Sequence, residues 1–140
     1  MTTPTYPQID VERYRREGYL TAPSVLSPAQ LDELRAEADR LLQLCATNPK
    51  CYARRIEWEI DHLAERDKAG MEHVIRKLEP VSDLSPTFAA LAFHEGIAGP
   101  VSAVFGEPVE LFEDKLNLKL PGGSPYPWHQ DWSCCWRAHG

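Results

Sequence analysis

The chain has 140 residues, 43% of them hydrophobic and 26% charged, with a formal net charge of −6. This is one domain's worth of polypeptide with an ordinary globular composition, and its acidic balance argues against broad binding to nucleic acid or anionic membranes. No apolar run approaches the roughly 20 residues of a membrane helix, and the opening residues MTTPTYPQID lack the basic start and apolar core of a signal peptide.

Asp10 is placed to cap a short helix carrying Val11 and Tyr14 and stopped by Gly18. Residues 19–25 have the β-favouring content of a short strand, with Pro23 suggesting an edge. Ser27-Pro28-Ala29-Gln30 combines an N-cap serine, a first-turn proline and a capping-box glutamine. Leu31, Leu34, Ala38, Leu41 and Cys45 follow at helical spacing, a scaffold stripe. After Asn48-Pro49, Ile56, Trp58 and Ile60 alternate with Glu57, Glu59 and Asp61, which suggests a half-buried strand with a solvated acidic face; the same residues also fit a helix. Residues 63–71 read as an exposed charged connection in which His62 and His73 are solvated, and residues 74–78 as another strand. Two short helical pieces follow in 83–105, with Ser85-Pro86 as a start and His94-Glu95 as a helix cap. Residues 109–120 have strand character, with Leu116, Leu118 and Leu120 on one face and Lys115, Asn117 and Lys119 on the other. Helices first and strands last predict an α+β layout. Cys45, Cys51, Cys134 and Cys135 show no C-x-x-C spacing, so reduced thiols and a cytoplasmic location are expected.

The chemistry-bearing stretch is residues 121–132, PGGSPYPWHQDW. In an extended chain His129 and Asp131 project from the same face. An imidazole and a carboxylate side by side form two-thirds of the facial set that holds non-haem Fe(II), with one more histidine completing it. Spacing alone is weak, since chance supplies about 0.3 such pairs in a chain of this composition. The preceding polar-faced strand, the turn-rich loop and a possible dry rim of Tyr126, Trp128 and Trp132 raise it above chance. The bland alternative is a hydrogen-bonded histidine beside a capping aspartate. Lys115, Asn117 and Lys119 are either a solvent face or, inside a barrel, cations needing an anionic partner such as a dicarboxylate; Lys77 raises the same question. No phosphate loop, nucleophile elbow or dinucleotide fingerprint is present.

Glu17-Gly18-Tyr19-Leu20, Val25-Leu26-Ser27-Pro28 with the leucine helix, Arg76-Lys77-Leu78-Glu79-Pro80, and residues 111–121 leading to Trp128-His129-Gln130-Asp131-Trp132 occur in one order and spacing. In these pieces the chain resembles the phytanoyl-CoA dioxygenase family of Fe(II)- and 2-oxoglutarate-dependent oxygenases. The resemblance implies helices packed on a double-stranded β-helix, or jelly roll. It implies one partial domain over residues 1–140, helical from about 10 to 106, with the jelly roll beginning at about 109–132. His129 and Asp131 are then metal ligands for Fe(II), and Lys77, Lys115 and Asn117 lie toward the 2-oxoglutarate. The implied reaction is oxidative decarboxylation of 2-oxoglutarate to succinate, coupled to hydroxylation of a small organic substrate.

In the family a second metal histidine and an arginine for the cosubstrate carboxylate come later in the chain. Here only residues 133–140 follow Trp132, and Arg137 and His139 lie too near Asp131 to be that pair. The expectation is therefore an incomplete jelly roll in a truncated product, a fragment or a frameshifted end. The alternatives to a hydroxylase are a non-catalytic truncated pseudoenzyme and a small interaction domain.

Overall fold

The computed structural model describes residues 9–130. Its helices are α1 (Val11–Glu17), α2 (Pro28–Thr47), α3 (Pro86–Ala92) and α4 (Glu95–Phe105), and its strands are β1 (Ile56–Trp58), β2 (Ile75–Leu78) and β3 (Leu116–Asn117). The chain is therefore α+β, as its sequence suggests. The strands form one antiparallel sheet in the order β1-β2-β3.

The helix ends follow the capping chemistry closely. The Asp10 side chain accepts from the Arg13 amide, and Gly18 closes α1 in the left-handed conformation that costs glycine least. The full capping box opens α2: Ser27 accepts from the Gln30 amide and Gln30 accepts from the Ser27 amide. His94 caps α4, its Nδ1 accepting from Gly96 N–H at 3.1 Å.

Leu41 and Cys45 from the second half of α2 meet Ile56, Ile75, Leu78 and Val81 in the buried core. Cross-strand partners Ile56, Leu78 and Leu116 bring the sheet's apolar row to that core. At the other end of α2 the leucine stripe opens to solvent at Leu31, and Leu120 is 51% exposed rather than sharing the burial of Leu116 and Leu118. A groove of about 270 Å³, lined among others by Tyr14, Leu20, Val25, Ile97 and Val104, separates α1 from α4.

Several expectations need correction. Residues 19–25 form no strand; Pro23 and Ser24 make a turn, with Ser24 at φ 56, and no neighbouring strand offers a ladder. Of 109–120, only Leu116 and Asn117 pair with a neighbour. The alternation of 56–60 stops at Trp58, where a 3-10 turn, Glu59–His62, begins. Pro86–Phe105 is 20 residues long and apolar enough by length and composition to cross a membrane, contrary to the sequence reading. The structure breaks it, however: α3 ends at Ala92 and His94 recaps the chain, leaving pieces of 7 and 11 residues. At 1.5 Å per residue neither piece covers the roughly 30 Å of a bilayer core.

Glu37 couples α2 to the start of α3. It takes two hydrogen bonds from Arg40, both 2.7 Å, and one from the hydroxyl of buried Ser85, the α3 cap; these hold its carboxyl at about 2, below the usual 4.5. A depressed folded-state pKa means the contribution is whole above about pH 4.5 and disappears as pH falls toward 2. Because Arg40 is half exposed, solvent screening keeps that contribution modest. Thermal melts of Glu37→Gln should show a shallower loss of stability between about pH 5 and pH 2 than the wild type. An unchanged slope would remove Glu37 as its source.

Candidate functional site

The loop from Pro121 to Pro127 crosses the sheet and is fastened there by an ion pair the sequence did not advertise. Arg76 and Glu59 are each 3% exposed, with Arg76 Nη1 2.9 Å from Glu59 Oε1. Ser124 donates its amide to the same carboxylate oxygen, and its hydroxyl to the His62 carbonyl at 2.7 Å. Arg76 donates to the carbonyls of Ser124 and Pro125 at 3.0 and 3.4 Å, and its guanidinium lies 4.0 Å from the centroid of the Tyr126 ring. Arg76 Nε lies 3.2 Å from Glu57 Oε1 but off the hydrogen-bond direction, so that contact is Coulombic only.

A register shift between Glu57 and Trp58 accompanies this arrangement: opposite them, Lys77 and Ile75 are paired and Arg76 is passed over. Irregular pairing of this kind re-aims a side chain out of the strand's normal alternation. The acidic residues of 57–61 are consequently not a uniformly solvated face: Glu59 is buried and Glu57 is engaged. His62, expected to be solvated, is 39% exposed at its side chain and places Nε2 2.8 Å from Glu57. What sequence reasoning missed was Arg76 itself, inside a segment singled out for its neighbour Lys77. Period-two patterning marks Arg76 only as the opposite face from Lys77.

Lys77, Asn117 and Glu57 occupy matching positions on the three strands, Lys77 opposite both others. The Lys77 ammonium meets Glu57 and Glu79, each at 2.8 Å. Burial alone would lower its pKa, but the hydrogen bonds to the two glutamates outweigh that and raise it above the ordinary lysine value. Lys115 is raised by its 2.6 Å contact with Glu113, against burial and with help from Glu79 at 3.7 Å. Two cations therefore share three carboxylates. Asn117 is exposed and its Oδ1 lies 3.4 Å from the Tyr126 hydroxyl. A cleft of about 380 Å³, walled by Arg54, Arg55, Glu57, Asp61, Lys77 and Glu79, opens beside the first lysine.

His129 is exposed, and its Nδ1 sits 2.6 Å from the Pro127 carbonyl. A carbonyl oxygen only accepts, so this contact assigns a proton to Nδ1 and makes Nε2 the candidate metal-binding nitrogen. Metal-bound histidines have this tautomer and this type of carbonyl support. An imidazole held in this way is of the ligand type that a borderline divalent metal takes. Asp131 and Trp132 lie outside the described residues, and among the described residues no three His, Cys, Asp or Glu side chains cluster as metal ligands. The expected aromatic rim is only partly built: Tyr126 is packed beneath Arg76 and Lys119, whereas Trp128 is fully exposed.

The family model described as Phytanoyl-CoA dioxygenase (PhyH) matches residues 14–137. The chain belongs to this family. Among phytanoyl-CoA dioxygenase relatives, a methylphosphonate hydroxylase from Gimesia maris is 30% identical across 93% of this chain and 45% of its own length. An ectoine dioxygenase from Streptomyces anulatus is 25% identical, covering 92% of this chain and 39% of its own. An L-proline trans-4-hydroxylase from Streptomyces griseoviridis is 25% identical, with 91% and 42% covered. The chain thus spans less than half the length of these curated relatives. No solved structure gives a significant match.

Proposed function

We propose that this chain supplies part of an Fe(II)- and 2-oxoglutarate-dependent hydroxylase acting on a small polar molecule. Membership of the phytanoyl-CoA dioxygenase family supports this reading, as do relatives named for methylphosphonate, ectoine and proline. The single structural observation in its favour is the contact of His129 Nδ1 with the Pro127 carbonyl, which orients the imidazole. His129 and Asp131 would hold the iron, which when bound supplies redox and Lewis-acid chemistry for oxygen activation. The part over about 10–106 carries the four helices together with β1 and β2, and the jelly roll is proposed to start at about 109–132.

In this reading Lys77 and Lys115 offer charge to the cosubstrate carboxylate, and Asn117 a hydrogen-bonding amide on the same sheet row. Glu57, Glu79 and Glu113 must then yield part of their hold on the lysines. The rival reading is that both lysines serve only the sheet's own ion-pair network, and their saturation with carboxylates favours it. A non-catalytic chain would follow from that reading if no other group bound the cosubstrate.

Anaerobic titration with Fe(II) and 2-oxoglutarate separates the two. The hydroxylase reading expects the weak visible charge-transfer band of the Fe(II)–2-oxoglutarate complex. It also expects Lys77→Met to raise the half-saturating 2-oxoglutarate concentration by about 10-fold or more, as loss of a charge-assisted hydrogen bond implies. A band that saturates identically in Lys77→Met assigns that lysine to the sheet alone. Absence of any band counts against the enzyme.

A further inference from the structure

Buried ion pairs contribute little net stability, because desolvation offsets their attraction; their best-attested benefit is to fix one arrangement of the surrounding groups. Around Arg76 and Glu59 those groups belong largely to one short piece of chain. Glu59 receives the Ser124 amide, Arg76 reaches the Ser124 and Pro125 carbonyls, and the guanidinium lies against the Tyr126 ring. Gly123 passes so close that a Cβ there would sit 3.3 Å from the Glu59 carboxylate. The next residue after Tyr126 is Pro127, whose carbonyl orients the His129 ring. A continuous path of hydrogen bonds and short covalent steps therefore runs from the buried pair to the imidazole.

Resting on the assignment of His129 as a metal ligand, we propose that Arg76 and Glu59 are positioning residues for its imidazole. The buried ion pair sets the course of residues 124–126 and, through the Pro127 carbonyl, the aim of His129 Nε2. Neither residue touches the metal. The arrangement is made by the protein alone, so the imidazole is placed before metal arrives, which lowers the ordering cost of binding.

The test uses Co(II) as a spectroscopic probe, read as a Kd and a visible absorption spectrum, alongside hydrogen exchange at the Ser124 amide in metal-free protein. Arg76→Lys keeps the charge but cannot fork to two carbonyls. Glu59→Gln keeps the volume and an acceptor oxygen, and carries the test if Arg76→Lys does not fold. Asp83→Asn is the stability control: it breaks the Arg55–Asp83 pair, 2.6 Å long and remote in sequence from the loop. Both loop variants should expose the Ser124 amide to exchange and weaken Co(II) binding about 10-fold, the lower range for losing an outer-sphere support. Asp83→Asn should leave Kd and spectrum unchanged.

Loss of Co(II) binding in His129→Ala, with wild-type Kd in folded Arg76→Lys and Glu59→Gln, would overturn the positioning role and leave the ligand assignment standing. Equal binding by wild type and His129→Ala would overturn the ligand assignment, and the positioning role with it. An Asp83→Asn effect on Kd as large as that of Arg76→Lys would reduce the result to general destabilisation and also overturn it.

Discussion

Glu59→Ala is expected to destabilise the protein by about 3–5 kcal/mol, because it strands the Arg76 guanidinium in a site 3% exposed. Native domains hold only about 5–15 kcal/mol in total, so the urea midpoint should fall visibly. The loss would come less from a missing attraction than from an uncompensated buried cation. Glu57 is near, but its contact with Arg76 Nε is 3.2 Å and poorly directed, and its carboxylate already serves Lys77 and His62. Removing both charges with Glu59→Leu and Arg76→Met should recover most of the stability, since an apolar pair of similar volume avoids the desolvation penalty. The exposed Arg55–Asp83 pair provides scale: Asp83→Asn should cost about 1 kcal/mol at most. A Glu59→Ala midpoint no lower than that of Asp83→Asn would mean that the buried pair does not carry the charge balance described.

The helices were legible in the sequence because their signals are local. The Ser27-to-Gln30 capping box, the Asp10 cap, Gly18, the Ser85-Pro86 start and the His94 cap each depend on residues within four positions of one another. The strands were only partly legible, since a ladder needs a partner that local content cannot supply. Residues 19–25 have strand content without a neighbour and turn instead, while residues 74–78 found one in β1. The Arg76–Glu59 pair joins positions 17 apart and clamps a loop 48 residues further on, so no local pattern pointed to it.

The candidate site divides similarly. His129 could be singled out by residue type and spacing, but its tautomer depends on the Pro127 carbonyl and became visible only in three dimensions. Lys77 could be singled out as a cation on a strand. That it sits between Glu57 and Glu79 depends on the β1–β2 register and on Glu79, two residues on, keeping the same face as its amide bonds to the Arg55 carbonyl. The family assignment came from the order of several modest motifs, and the match over residues 14–137 bears it out.

The proposed metal ligands His129 and Asp131 carry the largest expected effects on metal binding. Removing a first-sphere donor should cost more than the roughly 10–100-fold associated with outer-sphere partners. The carboxylate supplies the charge that an imidazole lacks, so Asp131→Ala should be at least as damaging as His129→Ala. Asp131→Asn, which keeps the shape but loses the charge, should lie close to it. The most direct measurement is an anaerobic Fe(II) titration of wild type, His129→Ala and Asp131→Ala at one pH. Metal bound by the wild type and lost by more than 100-fold in both variants is the expected result; Fe(II) affinity unchanged by either substitution would contradict the account.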